Sequence, residues 1–375
     1  MSPEDLAARI DFLAEADRLK SIERANVLMD LSRRENTAEH SWHVALFAIV
    51  FGASDRVLEM ILLHDLVEID AGDQPIYLDH DAASLAAAET AAADRIFGLL
   101  PDGGAAAALW REFESGITAD AAFAKRMDHV QPLFQVLMAP EPLREHIGIA
   151  RHMMQSGRVA RMSQEWPEAM AAAHGCLDGH KPGGDLGRRL AFLAEADRLK
   201  SVTRANTLID GSRRENSAEH SWHVALYAWA LSAQAAPGVD AGRAMRMLIL
   251  HDLVEIDVGD VPLHAAGGQA HGSPEIVAAE AAAARRIFGL LPEAQGKEFL
   301  ALWQEFEAAE TPDAIYAKSL DRTQPLVQNI RSGGAGWREY DVSFADLEAR
   351  VGRKVTRGLP RVWEFLAPQA RRFFA

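Results

Sequence analysis

The sequence contains a single cysteine, Cys176, among its 375 residues. One thiol cannot form a disulfide within the chain, and a zinc site built from several cysteines is excluded as well. No apolar run approaches the roughly 18 residues that cross a bilayer, and residues 1–15 carry charges throughout, unlike a secretory leader. These absences predict a cytoplasmic protein that does not enter the membrane.

An excess of positive charge is also missing, since the formal net charge is −15. An acidic chain lacks a general grip on the phosphate backbone, so no nucleic acid polymer is expected as a partner. A small anionic ligand remains compatible, because a metal ion and a few arginines can reverse the field locally. Tyrosine is scarce, whereas alanine and leucine are abundant, and this composition favours helices.

The chain contains a long internal repeat. Residues 12–48 align without gaps on residues 192–228, and 30 of the 37 positions are identical. The repeat predicts an N-terminal domain over 1–174, a Gly- and Pro-rich linker over 175–185 and a C-terminal domain over 186–375. The alternative, a loop inside one large domain, is disfavoured because the repeated text restarts directly after it.

Apolar spacing predicts helices and no convincing alternating strands. The expected fold class is therefore all-α, with two helical bundles in tandem. One helix is expected to carry His64, and Thr37 is a candidate N-cap for another. The remaining helices predicted in the first repeat cover 39–50, 82–100, 105–114 and 121–130.

An apolar run over 57–63 leads directly into His64 and Asp65. An imidazole beside a carboxylate at the end of a buried helix is costly without a partner, and a metal ion is an economical partner. Residues four apart share a helix face, so one of His64 and Glu68 can hold a metal while the other handles its water. The same residue types recur in the same order in the second repeat. The candidates are His40, His64, Asp65, Glu68, Asp73 and Asp128, with counterparts His220, His251, Asp252, Glu255, Asp260 and Asp321.

Two imidazoles and two carboxylates suit a divalent ion such as Zn, Mn, Fe, Co or Ni. Water on such an ion ionises near neutral pH. Two further histidines, His43 and His223, recur one turn beyond His40 and His220. For them we expect packing or hydrogen bonding rather than metal binding.

The order His40, then His64–Asp65, then Asp128 resembles the H…HD…D signature of the HD-domain metal phosphohydrolases. The text over 34–41 and 64–73 narrows the resemblance to the 5′-deoxynucleotidase-like branch, and it extends over 19–133 and 199–326. This resemblance implies a small nucleotide substrate, a (deoxy)nucleoside 5′-monophosphate, whose phosphate is removed by metal-activated water. It implies one divalent ion per domain, chosen from Mn, Co, Zn, Fe, Ni or Mg. The implied metal ligands are His40, His64, Asp65 and Asp128, and His220, His251, Asp252 and Asp321.

The resemblance also assigns roles to neighbouring residues. Glu68 and Glu255 match the catalytic acidic residue of the family, and Arg24 and Arg204 match the arginine that orients the substrate phosphate. The implied nucleoside pocket comprises Asp73, Gln74, Pro75 and Ile76, and Asp260, Val261, Pro262 and Leu263. Bacterial relatives place a tryptophan after the arginine, against the deoxyribose, whereas this chain has Ala25 and Ala205. Selectivity for 2′-deoxy sugars therefore does not carry over. Since relatives form homodimers, the two repeats are expected to pack as an intramolecular pseudo-dimer.

Two other functions remain open from the sequence. An HD-fold di-iron oxygenase or two-metal phosphodiesterase needs further histidines before the last aspartate, and the chain offers only His80, His264 and His271 at unmatched positions. A non-catalytic nucleotide sensor or metal-stabilised scaffold does not need Glu68 and Glu255. One working and one regulatory domain is also compatible, because the repeats diverge after Pro132 and Pro325.

Overall fold

The computed structural model of the chain describes residues 2–74, 81–155, 157–263 and 273–374. Helices account for most of these residues, so the all-α prediction is confirmed. Among the described residues, no helix is both long and apolar enough to cross a membrane. Five residues discussed above lie outside the described residues: Pro75, Ile76, His80, His264 and His271.

The N-terminal half of the chain, up to α10, contains ten α-helices and two strands among its described residues, with short 3₁₀ segments at Asp17–Ser21 and His64–Val67. In order, the elements are α1 (Pro3–Ala16), β1 (Glu23–Val27), β2 (Arg34–Asn36), α2 (Thr37–Val50), α3 (Asp55–Leu63), α4 (Glu68–Ala71), α5 (Ala82–Phe97), α6 (Gly103–Ser115), α7 (Ala119–Leu137), α8 (Arg144–Gln155), α9 (Gly157–Glu165) and α10 (Pro167–Leu177).

The C-terminal half begins at α11 and follows the same order through its seventh helix. It includes 3₁₀ segments at Asp197–Ser201 and His251–Val254 and a π-helical turn at Glu348–Gly352. Its elements are α11 (Gly184–Ala196), β3 (Thr203–Thr207), β4 (Arg214–Asn216), α12 (Ser217–Ala230), α13 (Ala241–Leu250), α14 (Glu255–Val258), α15 (Pro274–Phe288), α16 (Glu293–Ala308), α17 (Pro312–Arg331), α18 (Ala335–Glu339), α19 (Phe344–Leu347), α20 (Arg353–Gly358) and α21 (Pro360–Arg371).

The expectation that strands are missing was wrong in detail. Strands β1 and β2 form an antiparallel pair with Glu23 opposite Asn36, and β3 and β4 form the equivalent pair in the C-terminal half. These strands are only three to five residues long and largely polar, so they lack the alternation that marks a strand in sequence. Each hairpin brings an arginine of its first strand beside the start of the following helix.

Two helix boundaries also differ from the prediction. Helix α2 begins at Thr37, and its N-cap is Asn36, whose side chain accepts a hydrogen bond from the Glu39 N–H while Glu39 reaches back to the Asn36 N–H. This capping box satisfies backbone donors at the helix start. Helix α7 continues through Pro132 to Leu137, because the buried side chains beyond the proline keep the helix packed against the core.

The segment around His64 is not one continuous helix. Helix α3 ends at Leu63, residues His64–Val67 form a 3₁₀ turn, and α4 covers only Glu68–Ala71. The 3₁₀ turn has three residues per turn rather than 3.6. The expected sharing of one helix face by His64 and Glu68 is therefore wrong, and their relative position is set by the tight turn.

The two halves contact each other through their most buried helices. Every described residue of α2 is buried, and α2 packs against α12. Helix α1 also contacts α12, and α11 contacts α2. The first helix of each half thus packs against the second helix of the other half. One continuous apolar cluster includes residues of both halves.

Candidate active site

Three elements bring four predicted metal ligands together in the N-terminal half. Helix α2 supplies His40, the 3₁₀ turn supplies His64 and Asp65, and α7 supplies Asp128. His40 Nε2 lies 3.0 Å from Asp128 Oδ1, and His64 Nε2 lies 3.1 Å from Asp65 Oδ1 and 3.7 Å from Asp128 Oδ1. We call this cluster the N-terminal site.

The two imidazoles of the N-terminal site are held by their other nitrogens. His64 Nδ1 lies 2.7 Å from the Ile61 carbonyl oxygen, and His40 Nδ1 lies 2.9 Å from Gln131 Oε1. Each Nδ1 therefore donates to these oxygens, and each Nε2 faces the cluster, where the neutral ring can bind a metal ion. Among the described residues, His64 Nε2 is buried without a hydrogen-bond partner.

The C-terminal half repeats this arrangement from α12, the second 3₁₀ turn and α17. His220 Nε2 lies 3.2 Å from Asp321 Oδ1, and His251 Nε2 lies 3.0 Å from Asp252 Oδ1 and 3.7 Å from Asp321 Oδ1. His251 Nδ1 donates to the Leu248 carbonyl oxygen at 2.8 Å, and His251 Nε2 again has no hydrogen-bond partner among the described residues. We call this cluster the C-terminal site.

The donor atoms of both clusters fit a divalent metal ion. In the N-terminal site, ligand atoms of His40, His64 and Asp65 all lie within 4.8 Å of one another, and the same holds for the corresponding group in the C-terminal site. A buried imidazole nitrogen that faces carboxylates without its own partner is costly. A metal ion would satisfy it, and a set of imidazole and carboxylate ligands suits Zn, Mn, Fe, Co or Ni.

Arg24 lies beside the metal ligands and links three carboxylates. Its Nη1 is 3.3 Å from Asp65 Oδ2, from Glu68 Oε1 and from Asp73 Oδ1. Glu68 Oε2 accepts a hydrogen bond of 2.8 Å from the Thr37 hydroxyl. The structure thus brings the predicted arginine, the predicted catalytic acid and the start of the predicted nucleoside pocket into one contact network.

The C-terminal network is similar but tighter at one contact. Arg204 Nη1 is 2.7 Å from Asp252 Oδ2, whereas its distances to Glu255 Oε1 and Asp260 Oδ1 are 3.6 and 3.8 Å. Ser217 takes the place of Thr37 and donates its hydroxyl to Glu255. The arginine in this half is therefore bound mainly to a metal ligand.

The clustered charges displace the pKa values of the groups at the N-terminal site. Burial opposes a charge on His64, but the negative charges of Asp65 and Asp128 outweigh it and raise the pKa of His64 to about 10. Burial and the neighbouring charge of Asp65 raise the pKa of Glu68 well above its ordinary value, although Arg24 pulls it down. Such displaced values concentrate at functional sites.

A cavity in each half is lined by predicted nucleoside-binding residues, and the C-terminal cavity also reaches His251, Asp252 and Asp321 of its cluster. In the N-terminal half, Arg24, Ala25, Asp73 and Gln74 line it. Asp73 is fixed there because its carboxylate accepts a hydrogen bond of 3.3 Å from the Ala25 N–H. The equivalent C-terminal cavity is lined by Arg204, Ala205, Asp260, Val261, Pro262 and Leu263.

Several contributing residues were not found by reasoning from the sequence. Gln131 and Gln324 contact the Nδ1 atoms of His40 and His220, and Thr37 and Ser217 donate hydrogen bonds to Glu68 and Glu255. The signal was present, because the glutamines recur three residues after the aspartate ligands at equivalent positions of both repeats. A glutamine in a polar-looking helix gives no sign of burial by itself.

Comparison with known proteins identifies similar chains for these halves. The family model described as the HD domain matches residues 16–170 and 196–363. The chain is 28% identical over 165 residues to the human 5′-deoxynucleotidase HDDC2, covering 44% of this chain and 72% of that protein. It is 28% identical over 181 residues to a 5′-deoxynucleotidase of Erwinia tasmaniensis, covering 47% of this chain and 90% of that protein.

Among solved structures, the chain is similar to a predicted metal-dependent phosphohydrolase from Magnetospirillum magnetotacticum MS-1. The sequence identity is 41%, the match covers 50% of this chain and 96% of that chain, and the TM-score is 0.47.

Proposed function

The chain belongs to the HD domain family, and we propose that it is a metal-dependent phosphohydrolase that removes phosphate from nucleoside 5′-monophosphates. The observation that carries this proposal is the convergence of His40, His64, Asp65 and Asp128 beside Arg24 and Glu68. The relatives named 5′-deoxynucleotidase support the reaction class.

Hydrolysis of a phosphate monoester needs charge neutralisation at the phosphate and a positioned water molecule. A divalent ion held by the two imidazoles and two carboxylates supplies positive charge and lowers the pKa of water. Arg24 lies 3.3 Å from one of these carboxylates, Asp65, so its positive charge would stand beside a phosphate bound at the metal. Glu68, fixed by the Thr37 hydroxyl, can orient water and take up its proton. In the C-terminal site, Arg204 and Glu255 have these two roles.

The sugar preference follows from the residue after the arginine. Ala25 and Ala205 line the two cavities, and a methyl group leaves room where a large aromatic ring would press against the sugar. We therefore propose that ribonucleotides and deoxyribonucleotides are both accepted.

The two halves are proposed to be a tandem duplication with one metal ion and one working site each, divided over 1–174, 175–185 and 186–375. Contacts between α2 and α12 support an intramolecular pseudo-dimer. The proposed linker includes the end of α10 at Leu177, the start of α11 at Gly184 and the non-helical residues between them. A cytoplasmic location stays a prediction.

The test is phosphate release from ribo- and deoxyribonucleoside 5′-monophosphates by metal-free protein supplied with Mn, Co, Zn, Fe, Ni or Mg in turn. The matched variants are Glu68→Gln, Glu255→Gln and the double variant, which keep the shape of the side chain. We expect metal-dependent release that each single change lowers and the double change abolishes. Release from no monophosphate with any metal would refute the proposed function.

A further inference from the structure

Two lysines are completely buried where the halves meet. Lys20 is 1% exposed and Lys200 is 0% exposed, and they occupy equivalent positions of the repeated text. A buried ammonium group is stable only when it is paired and hydrogen-bonded. Each lysine lies in the 3₁₀ segment that follows α1 or α11, and its ammonium group contacts one carboxylate of its own half and one of the opposite half.

The partners of Lys20 surround its ammonium group. Lys20 Nζ donates to Asp17 Oδ1 at 2.5 Å, to Glu215 Oε1 at 2.6 Å and to His223 Nδ1 at 2.9 Å. Asp17, Glu215 and His223 lie close enough together to hold a metal ion, but the lysine ammonium fills the centre of the group. Glu215 and His223 of the C-terminal half therefore depend on a cation that belongs to the N-terminal half.

This cluster continues to the C-terminal metal site. Glu215 Oε1, which accepts from Lys20, also accepts from Gln324 Nε2 at 2.9 Å. Gln324 Oε1 lies 3.1 Å from His220 Nδ1, and Glu215 Oε2 lies 3.5 Å from the same nitrogen. His220 Nε2 faces the metal cluster. Lys20 is thus connected to the imidazole of His220 by hydrogen bonds through the carboxylate of Glu215 and the side-chain amide of Gln324.

The reverse connection starts from Lys200. Lys200 Nζ donates to Glu35 Oε1 at 2.7 Å and to His43 Nδ1 at 3.0 Å. Gln131 Nε2 lies 3.0 Å from the same His43 nitrogen, and Gln131 Oε1 accepts from His40 Nδ1 at 2.9 Å. The recurring histidines therefore form hydrogen bonds, as expected, and they take part in this connection.

We propose that Lys20 and Lys200 are exchanged positioning residues, each of which orients the metal-ligating histidine of the opposite half. Partners of this kind fix the tautomer of a ligating imidazole and its direction, and their loss typically weakens metal binding or activity by roughly 10- to 100-fold. Each site takes its ligands from one half, and the hydrogen bonds behind one of its histidines include a lysine of the other half. The inference rests on the proposed metal sites, although its main test needs no substrate.

The experiment measures Mn²⁺ affinity, by chelator competition, in full-length chains that retain one site. In a His64→Ala chain, only the C-terminal site binds tightly. There, Lys20→Met is expected to weaken Mn²⁺ binding roughly 10- to 100-fold, whereas Lys200→Met leaves it within about threefold. In a His251→Ala chain the order of the two effects reverses. A lysine that only stabilised the contact between the halves would weaken both sites equally.

A methionine leaves buried carboxylates without their cation, which can prevent folding. The paired variants Lys20→Met/Asp17→Asn and Lys200→Met/Asp197→Asn each remove one positive and one negative charge, so the net charge of each cluster is kept. Circular dichroism melting checks that they fold. We expect the same crossed pattern of Mn²⁺ affinity from these pairs.

Equal effects at both sites, or an effect confined to the lysine's own half, would overturn the inference and leave the proposed function intact. Mn²⁺ binding without phosphate release from wild-type protein would refute the proposed function and leave the crossed pattern measurable. Absence of binding of Mn²⁺ and of every other ion of the panel by wild-type protein would overturn both.

Discussion

The two candidate sites have the same types of ligand residue, but the residues that line the cavities beside them differ. The distance from His40 Nε2 to Asp128 Oδ1 is 3.0 Å, and that from His220 Nε2 to Asp321 Oδ1 is 3.2 Å. The cavity beside the N-terminal site has a volume of about 110 Å³, whereas the C-terminal cavity has about 350 Å³. Nearly equal distances between ligand atoms thus accompany two cavities of different size.

Part of the lining of each cavity comes from the segments in which the two repeats diverge. Helices α7 and α8 line the N-terminal cavity with apolar groups, namely Leu133, Val136, Ile149, Ala150 and Met153. The C-terminal cavity has cations and aromatic rings at positions that differ between the repeats, namely Arg322, Lys354, Trp337 and Tyr340, together with the acidic Glu280 and Glu307. Since the ligands recur in both repeats and part of each cavity wall does not, we expect one chemistry on two ranges of substrate.

The charge of the C-terminal wall is concentrated. The positive charge of Arg322, together with burial and the charge of Lys318, lowers the pKa of Lys354 to about 8. Position 322 corresponds to His129 in the N-terminal half, and α20, which carries Lys354, packs against α17. Asp321 and Glu307 oppose this shift without cancelling it, so we expect a substrate with an additional negative group to pair with Lys354.

The largest expected effect removes one site altogether. His64→Ala and His251→Ala each take away a buried ligand, so we expect one bound metal ion per chain instead of two, and none in the double variant. Elemental analysis after dialysis measures this. Chelation of wild-type protein should lower its melting temperature, because metal present at about 1,000 times its Kd stabilises a fold by roughly 4 kcal/mol. Equal metal content in wild type and both single variants would contradict two separate sites.

The second comparison concerns the arginines. Arg24→Met, measured in a Glu255→Gln chain, and Arg204→Met, measured in a Glu68→Gln chain, should each lower kcat/KM by roughly 100-fold, because a preorganised charge at the phosphate is lost. The exposed Arg34→Met is the matched control and should change kcat/KM by less than about twofold. Unequal losses would show that the tighter contact of Arg204 with Asp252 alters its role.

The third comparison tests the walls. In a Glu68→Gln chain, where only the C-terminal site works, a nucleoside 3′,5′-bisphosphate should have a KM roughly fivefold lower than the 5′-monophosphate, since a partly exposed ion pair contributes about 1 kcal/mol. Lys354→Met should remove this preference, and the neighbouring Arg353→Met, outside the cavity lining, should keep it. The same preference in a Glu255→Gln chain would remove the distinction between the pockets.

The smallest expected effect concerns the hairpin between the first two strands of each half. Leu31 has a φ of 60°, and the aligned Gly211 has a φ of 74°. A side chain in this left-handed region costs roughly 1 to 2 kcal/mol. Gly211→Leu should therefore lower the free energy of unfolding by about 1 kcal/mol. Leu31→Gly should raise it, by an amount that is reduced because the contacts of the leucine side chain are lost. Urea denaturation measures both, and a stabilising Gly211→Leu would contradict this account.

Much of the candidate site could be predicted from the sequence because its ligands lie in repeated text. The pairs His64–Asp65 and His251–Asp252 stand at the ends of apolar runs, and that placement predicts a paired, buried imidazole. The roles of Arg24 and Glu68 came from family resemblance, and the structure brings both beside the ligands. Whether these residues act as proposed awaits the variants described above.

The sequence alone determined the helical class, the repeat and the residue types of the two clusters, because these depend on local spacing and on identical text. Only the tertiary structure decided the 3₁₀ turn between Leu63 and Glu68 and the short polar strands. It also decided the contacts of Lys20 and Lys200 with carboxylates of the opposite half. These features depend on contacts between residues distant in the chain. A lysine in the text DRLKS looks like a solvated charge until the fold places beside it one carboxylate of its own half and one of the opposite half.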